Sequence, residues 1–294
     1  MHEPVSGRLW PAALILAGAL VLLSGGCAEL DRNAHAEALA APAGLKREPV
    51  AAGPFVLTAF VRITRADQPL TVYIEGDGLA WVSRREPSAD PTPRTAIGLA
   101  LAAADPAANV VYLARPCQFT PMEWNPACGV PYWTGKRLAP EVITSMNEAV
   151  SHFVAQVPGQ RIHLAGYSGG GAVAILIAAR RHDVASIRTV AGNLDSEFVN
   201  QLHHVSPMPE SGNPFNFARQ VATIPQMHYS GADDKVVPPE VARRFVLAAD
   251  SRCVQTRTVP GMTHNSDWGQ LWPALMATMP GCAADQEKGS REAR

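Results

Sequence analysis

A serine set among glycines is the residue of this sequence best placed to do covalent chemistry. Residues 166–170 read Gly-Tyr-Ser-Gly-Gly, between a short apolar run at 162–165 and a longer one at 172–179. A strand, a tight turn and a helix in this order would strain the backbone at Ser168 and project its hydroxyl from the sheet edge. The spacing therefore predicts a nucleophile at Ser168, and the alternative is a glycine-rich turn that opens a core helix.

The residues around that serine fit such a turn. Gly166 and Gly170 would leave no Cβ where the strand and the helix would otherwise collide, and Tyr167 occupies the variable position of the turn. The first N–H groups of the following helix would be free to face a developing oxyanion. This stretch is therefore interpreted as a nucleophile elbow.

A serine hydroxyl is a weak nucleophile at neutral pH, so it needs a general base that is itself oriented by an acid. In chain order Ser168 is followed by the pair Asp233 and Asp234 and then by His264, and each of these follows a predicted strand. The order favours acyl transfer by a serine, a histidine and an aspartate. Otherwise the two aspartates would only be turn residues before Pro238.

From about Phe55 to Cys282 the chain resembles the α/β hydrolases. The resemblance lies in the motif at 166–170, in Gly-Ala-Asp-Asp-Lys-Val-Val-Pro at 231–238 and in Gly-Met-Thr-His-Asn at 261–265. These three runs occur in the chain order that this family uses for its nucleophile, acid and base. The resemblance implies a serine hydrolase that cleaves an acyl bond, most simply a carboxylic ester, and that needs no metal or organic cofactor.

The same resemblance assigns roles to individual residues. Ser168 would be the nucleophile and His264 the base. The run at 231–238 matches the family's G-x-x-D-x-x-V-P loop in a register that makes Asp234 the acid. Asp233 would then accept a local hydrogen bond on the turn.

The resemblance also implies an oxyanion hole. One donor would be the N–H of Gly169, and the other would come from the loop after the strand at 70–74. The family usually has His-Gly in that loop and this chain has Glu-Gly, so the second donor would be the N–H of Asp77. The carboxylates of Glu75 and Asp77 would oppose a developing negative charge unless they are paired or point away. We predict that Glu75 braces the loop in place of the family's histidine.

Predicted strands alternate with predicted helices along most of the chain. The strands are predicted at 55–63, 70–74, 109–114, 162–165, 187–191, 226–230 and 253–259, and the helices at 95–104, 139–157, 172–179, 196–202, 239–249 and 267–279. After an opening hairpin of the first two strands, this alternation predicts an α/β protein whose mainly parallel central sheet carries helices on both faces. Together with the resemblance it indicates the α/β-hydrolase fold, with a small cap at 193–219 and a site beyond the carboxyl ends of the strands.

Composition excludes several function classes. The chain has 294 residues, of which 47% are hydrophobic, enough for one domain with appendages. Its net charge of −1 gives no electrostatic basis for binding nucleic acid. No metal site is predicted, because His203 and His204 have no carboxylate or cysteine at ligand spacing. The expected partner is a small-molecule or acyl-ester substrate, and the oligomeric state is left open.

Residues 1–26 have the pattern of a signal peptide. A polar start containing Arg8 leads into an apolar run at 12–23 and then into small residues before Cys27. This end resembles a bacterial lipoprotein signal, although Ser24 stands where a large aliphatic residue is typical. We predict export to the bacterial envelope and a lipid anchor at Cys27, on the outer membrane or the periplasmic face. Ordinary secretion and a retained membrane anchor are the alternatives.

The remaining boundaries follow from composition. Residues 27–50 are rich in alanine, glutamate and proline without strong apolar periodicity, so they are interpreted as a tether. The hydrolase domain is placed at 51–283, and a charged tail follows at 284–294.

Export makes disulfide bonds possible. If Cys27 carries a lipid, four cysteines remain, which allow three pairings. Two of them, Cys117 and Cys128, flank one loop, while Cys253 and Cys282 bracket the last predicted strand and helix. We predict these two bridges, and the alternative is four free buried thiols.

Aromatic side chains lie in or near the loops of the predicted site face and would wall an acyl pocket: Trp81, Trp124, Tyr132, Trp133 and Trp268. Two other functions are compatible with the sequence. The scaffold also suits a non-catalytic envelope binding protein, and the same chemistry suits a peptidase or amidase.

Overall fold

The computed structural model describes residue 2 and residues 31–283, and these contain one eight-stranded sheet. The strands are β1 (Lys46–Ala52), β2 (Phe55–Ile63), β3 (Leu70–Ile74), β4 (Asn109–Leu113), β5 (Ile162–Tyr167), β6 (Val184–Val190), β7 (Gln226–Gly231) and β8 (Val254–Val259). Their order is β1-β2-β4-β3-β5-β6-β7-β8. Every neighbouring pair from β4 to β8 is parallel, and β2 is antiparallel to both β1 and β4. The predicted mainly parallel sheet is confirmed.

Helices cover both faces of this sheet, as predicted. They are α1 (Arg32–Ala40), α2 (Ile97–Ala103), α3 (Pro140–Val154), α4 (Gly169–Ala178), α5 (Ser196–Leu202), α6 (Pro239–Ala249) and α7 (Trp268–Met276). The core beneath α3, α4 and α6 forms one apolar cluster, and the core beneath α1, α2 and α7 forms a second. Every residue of α4 is buried, which explains why its sequence has no polar face.

The predicted hairpin of β2 and β3 is wrong. Strand β4 lies between them, and β3 pairs in parallel with both β4 and β5. The hairpin is instead formed by β1 and β2, which turn at Gly53 with a φ of +54°. The short turn before Leu70 is compatible with either topology. The nearly complete burial of β3 requires a neighbour on each side, and parallel neighbours satisfy this.

The predicted tether is also wrong over the residues that the structure describes, because 31–50 belong to the domain. Asp31 caps α1 by accepting hydrogen bonds from the N–H groups of Asn33 and Ala34, at 3.0 and 3.1 Å. Strand β1 then pairs with β2 along its whole length. The small apolar side chains of α1, such as Ala36, pack into the core without giving a strong sequence pattern. Residues 1–26, Cys27 and the tail at 284–294 lie outside residues 31–283.

Both predicted disulfide bonds are present in the fold. Cys117 is bonded to Cys128, and Cys253 is bonded to Cys282. Within residues 31–283 there is no helix with the length and apolar character required to cross a bilayer.

Candidate active site

Ser168 occupies the turn between β5 and α4 in a backbone conformation that side chains rarely adopt, with φ 50° and ψ −120°. Three backbone hydrogen bonds hold it there. Its N–H donates to the carbonyl of Val190 at 2.9 Å, and its own carbonyl accepts from the N–H groups of Gly171 and Asn193, each at 3.0 Å. The strain at Ser168 is thus supported by β6 on one side and by the first turn of α4 on the other.

The glycines of the turn are required by close packing. A Cβ on Gly166 would lie 2.3 Å from the carbonyl oxygen of Gly170, and a Cβ on Gly170 would lie 2.2 Å from that of Ile74. Both distances are shorter than any real Cβ contact with a backbone oxygen. Strand and helix therefore approach at Ser168 more closely than other residues would allow.

A continuous chain of hydrogen bonds runs from Asp234 to Ser168. His264 Nδ1 lies 2.8 Å from Asp234 Oδ2, and His264 Nε2 lies 3.0 Å from Ser168 Oγ. Asp234 is 3% exposed, and its Oδ1 accepts hydrogen bonds from the N–H groups of Val236 and Val237, both at 2.8 Å. A carboxylate that accepts from Nδ1 leaves the lone pair of Nε2 facing the serine hydroxyl.

The neighbouring aspartate takes no part in this chain. Asp233 is exposed, and its backbone N–H donates to the carbonyl of Met262 at 3.0 Å. The structure therefore brings Ser168, Asp234 and His264 together and leaves Asp233 on the turn.

Two aromatic residues fix the loop that carries His264. The hydroxyl of Tyr167 donates to the His264 carbonyl and to Asn265 Oδ1, both at 3.1 Å, and Trp268 Nε1 donates to the same carbonyl at 3.1 Å. Burial raises the pKa of Tyr167, so its hydroxyl keeps its proton and remains a donor. Sequence reasoning missed these contacts, because nothing local to either aromatic residue indicates its distant acceptor.

Two backbone N–H groups beside Ser168 are available to a ligand. Within residues 31–283, the N–H groups of Gly169 and Asp77 donate to no other atom. The loop that carries Asp77 packs on the elbow, since a Cβ on Gly76 would lie 3.3 Å from the Cβ of Ser168. Free donors at this place are the arrangement that stabilises an oxyanion formed on a carbonyl attacked by the serine.

No protein-family model matches the sequence, and no curated protein is similar to it. Solved structures are similar to the fold. An α/β serine hydrolase homologue from Coxiella burnetii superposes with a TM-score of 0.54 at 15% identity, over 78% of this chain and 94% of that one. The chain has the α/β-hydrolase fold.

Two peptidases share this fold over part of their length. The acylaminoacyl peptidase of Pyrococcus horikoshii superposes with a TM-score of 0.57 at 11% identity, over 82% of this chain and 43% of that one. A puromycin-hydrolyzing peptidase of Mycobacterium tuberculosis superposes with a TM-score of 0.56 at 15% identity, over 79% and 38%. This chain therefore spans less than half of either peptidase, and the likeness concerns the α/β-hydrolase fold.

The unusual acidic loop of this α/β-hydrolase fold carries an Asp77 side chain that is neutralised twice. Its Oδ1 lies 3.2 Å from Arg115 Nη1, and its Oδ2 lies 3.2 Å from Arg137 Nε. Burial lowers the pKa of Arg115, and the Asp77 carboxylate acts against that effect. The negative charge of Asp77 is thus held by two guanidinium groups, which offset its repulsion of an oxyanion at the neighbouring N–H.

Glu75 is 1% exposed and connects three parts of the fold. Its Oε1 accepts from the N–H groups of Gly76 at 2.9 Å and Gly98 at 3.1 Å, and its Oε2 accepts from the Tyr112 hydroxyl at 3.1 Å. Burial raises the pKa of the Glu75 carboxyl, which favours its neutral form. These contacts tie the loop to the start of α2 and to β4, as expected of a brace.

Glu75→Ala should therefore reduce both stability and activity. It leaves the buried N–H groups of Gly76 and Gly98 without an acceptor, which should lower the free energy of unfolding by roughly 2–5 kcal/mol. Glu75→Gln is the matched control, because its amide oxygen can accept from the same two groups. Thermal and urea unfolding measure the first effect and ester hydrolysis the second. Loss of activity in Glu75→Ala at unchanged stability would contradict the bracing role.

The pH dependence of stability, compared between the wild type and Glu75→Gln, gives a second readout. The folded state holds the Glu75 carboxyl protonated to a higher pH than the unfolded state does, where ionisation occurs near pH 4.3. Stability linked to this group is therefore present below about pH 4.3 and lost as the pH rises through the folded-state pKa. The stability of the wild type relative to Glu75→Gln should decline with rising pH.

The Cys117–Cys128 disulfide anchors a loop that reaches the site. Gln118 follows Cys117 directly, donates from Nε2 to the carbonyl of Gly76 at 3.0 Å and accepts at Oε1 from the N–H of Arg115 at 3.1 Å. The bridge therefore holds two residues that position the loop of Asp77.

Removing either disulfide should lower stability, but only removal of the Cys117–Cys128 bridge should lower activity. Replacing Cys117 and Cys128 with serine should lower the free energy of unfolding by about 2–4 kcal/mol. It should also lower kcat/KM about tenfold through a displacement of the Asp77 loop by less than 1 Å, since a full 1 Å displacement at a site can cost about 10²-fold. The matched double replacement of Cys253 and Cys282 should destabilise similarly and leave kcat/KM unchanged below its melting temperature. Equal kinetic effects of the two pairs would contradict this role of the first bridge.

A cavity of about 440 Å³ opens on Ser168 and His264. A second, larger groove of about 760 Å³ is lined by Trp81, Arg137 and residues 199, 200 and 203–208 of the cap. The walls of the two spaces touch at the cap, where Nε2 of His203, which lines the groove, lies 2.7 Å from the carbonyl oxygen of Val236, which lines the cavity. His203 thus contacts the backbone, and no cluster of three metal-ligating side chains occurs within residues 31–283.

The predicted aromatic wall is largely wrong. Trp81 lines the groove, but Trp133 and Trp268 are buried, with 6% and 0% exposure. Tyr132 packs against Phe55 with ring centroids 5.0 Å apart. Sequence position near the site face did not show which way these rings point.

Proposed function

We propose that this chain is an exported serine hydrolase that cleaves carboxylic esters. The observation that carries the proposal is the hydrogen-bonded chain from Asp234 through His264 to Ser168, at a strained turn that opens on a cavity. A structural serine has no need of an oriented base or of free N–H donors beside it.

The proposed reaction has two halves. Ser168 Oγ attacks the carbonyl carbon while His264 Nε2 takes its proton, and the N–H groups of Gly169 and Asp77 bind the oxyanion. His264 then donates this proton to the departing alcohol, which leaves an acyl group on Ser168. A water then attacks the acyl carbonyl carbon while His264 Nε2 takes one of its protons. The bond to Ser168 Oγ breaks as His264 returns that proton to it, which releases the carboxylic acid and restores the serine. Throughout, Asp234 orients the ring and stabilises its charged form.

Hydrolysis of an amide or peptide is the second candidate. It is favoured by the two peptidases that share the fold and are named for such activities. We place esters first because the cap between β6 and β7 is small and contains one short α-helix and one 3₁₀ turn. Matched 4-nitrophenyl esters and 4-nitroanilides of the same acids distinguish the two candidates by their kcat/KM.

Export and lipidation at Cys27 are part of the proposal. They are supported by the apolar run before Cys27 and by two disulfide bonds, which persist in oxidising compartments. Metabolic labelling with a fatty-acid probe should mark the wild type and leave Cys27→Ala unmarked. Release of both forms without label would indicate ordinary secretion.

Labelling with a fluorophosphonate probe tests the reaction itself. The folded wild type should be labelled on Ser168, and Ser168→Ala and His264→Ala should not, because the probe reports a serine activated by its base. A folded wild type that resists labelling would favour the non-catalytic envelope binding protein.

A further inference from the structure

The charge around the candidate site is unbalanced, although the whole chain has a net charge of only −1. Arg94 lines the cavity that contains Ser168, and Arg84 and Arg137 line the larger groove. Within residues 31–283, the only acidic residues that line either space are Glu75 and Asp77.

Asp77 offsets Arg137, but neither acid pairs with Arg84 or Arg94 within the part of the chain that the structure describes. Asp77 is already held between Arg115 and Arg137. Glu75 is buried and hydrogen-bonded, and its raised pKa favours the neutral carboxyl. The cavity and groove therefore carry surplus positive charge where a substrate would enter.

Within residues 31–283, Arg94 is the one arginine that lines the cavity containing Ser168. Its side chain is exposed and makes no hydrogen bond or ion pair with any residue of the part that the structure describes. It shares the lining of one cavity with Ser168 and His264. An arginine so placed offers two parallel N–H donors to an anion on the substrate.

The backbone that carries Arg94 is fixed in place. The carbonyl of Pro91 accepts from the N–H of Leu79 at 3.0 Å, and the hydroxyl of Thr92 accepts from the N–H of Phe119 at 2.8 Å. Pro93, the residue directly before Arg94, has a φ angle fixed by its ring. Because the segment is held on both sides, binding an anion at Arg94 would cost little ordering of the main chain.

We propose that the substrate is an ester that carries a carboxylate, and that Arg94 binds this carboxylate, with Arg84 adding to the attraction. The inference rests on the proposed ester hydrolysis and names its substrate class. Selection by a guanidinium group at the rim predicts that Arg94 determines specificity without touching the scissile bond.

The kinetic test uses two matched ester pairs, so that the carboxylate lies on either side of the scissile bond. The first is mono-4-nitrophenyl adipate against 4-nitrophenyl hexanoate, and the second is 4-carboxyphenyl acetate against phenyl acetate. The measured quantity is the ratio of kcat/KM for the anionic ester to kcat/KM for its neutral partner, at low salt. For at least one pair this ratio should be about tenfold higher in the wild type than in Arg94→Gln. Comparing the ratio between proteins cancels the intrinsic reactivity of each ester.

Arg219→Gln is the matched control. Arg219 is exposed, has no ion pair within residues 31–283 and lines neither the cavity nor the groove. It should leave both ratios within about twofold of the wild type, the size of an ordinary surface charge effect. The preference lost in Arg94→Gln should also weaken when 0.5 M NaCl is added to the wild type, because exposed charges are screened. Ratios that are the same in the wild type and Arg94→Gln overturn the inference.

A binding measurement separates this inference from the proposed reaction. In calorimetry, the Ser168→Ala variant should bind monomethyl adipate with a lower Kd than methyl hexanoate. The double variant Ser168→Ala/Arg94→Gln should bind the two esters equally. Arg94-dependent binding without hydrolysis of any ester would support the anion site and contradict the proposed reaction. Ester hydrolysis without any dependence on Arg94 would support the reaction and overturn the anion site, and failure of both measurements would overturn both.

Discussion

Ser168→Ala should lower kcat/KM for an activated ester by about 10⁵-fold, because removal of the nucleophile leaves only oxyanion stabilisation and binding. His264→Ala should cost a similar factor. The two side chains are joined by a 3.0 Å contact and act in one step, so the double variant should be no slower than either single variant. Stopped or continuous assays with 4-nitrophenyl esters measure all three.

Ser151→Ala provides the control for this series. Ser151 is exposed on α3, and its replacement should leave kcat/KM within about twofold of the wild type. Thermal unfolding of each variant shows whether the loss of activity has a folding origin. Activity of folded Ser168→Ala within tenfold of the wild type would mean that another group is the nucleophile.

Asp234→Asn should lower kcat by about 10³–10⁴-fold, while Asp233→Asn should change it by less than about twofold. The reason lies in the second oxygen of Asp234, which accepts from the N–H groups of Val236 and Val237. In Asp234→Asn the amide oxygen must take that place, which turns the NH₂ toward His264 Nδ1. Nδ1 must then accept, Nε2 carries the proton, and the ring cannot accept the proton of Ser168.

The comparison of the two aspartates decides the register of the loop. Both replacements change the charge by the same amount, so a general electrostatic effect would appear in both. Asp233 is exposed and should respond only weakly. A larger loss in Asp233→Asn than in Asp234→Asn would contradict the arrangement of the site. The pH–rate profile adds a second readout, because the wrong tautomer lowers the plateau rather than only shifting it.

The sequence by itself determined those features that depend on short stretches of chain. The elbow is one of them, because the clash that excludes a Cβ at Gly166 involves Gly170, four residues away. The succession of strands and helices is another, since burial on both faces of a parallel sheet leaves continuous apolar runs that punctuating loops separate. The order of the serine, the aspartate pair and the histidine follows from that succession. The two disulfide pairings were also predictable from the sequence, because each pair of cysteines brackets a short stretch of chain.

Only the tertiary structure decided what each side chain meets across the fold. Ser168 and His264 are 96 residues apart in sequence, and Glu75 and Tyr112 are 37 apart. The sequence shows an acidic loop whose unpaired carboxylates would oppose an oxyanion, whereas packing buries Glu75 as a brace and places Asp77 between two arginines. The same holds for β3, which joins β4 and β5 instead of β2, and for residues 31–50, which add α1 and β1 to the domain. Local sequence rules act over one turn or one strand, but the partner of a strand edge or of a buried charge is set by chain closure over tens of residues.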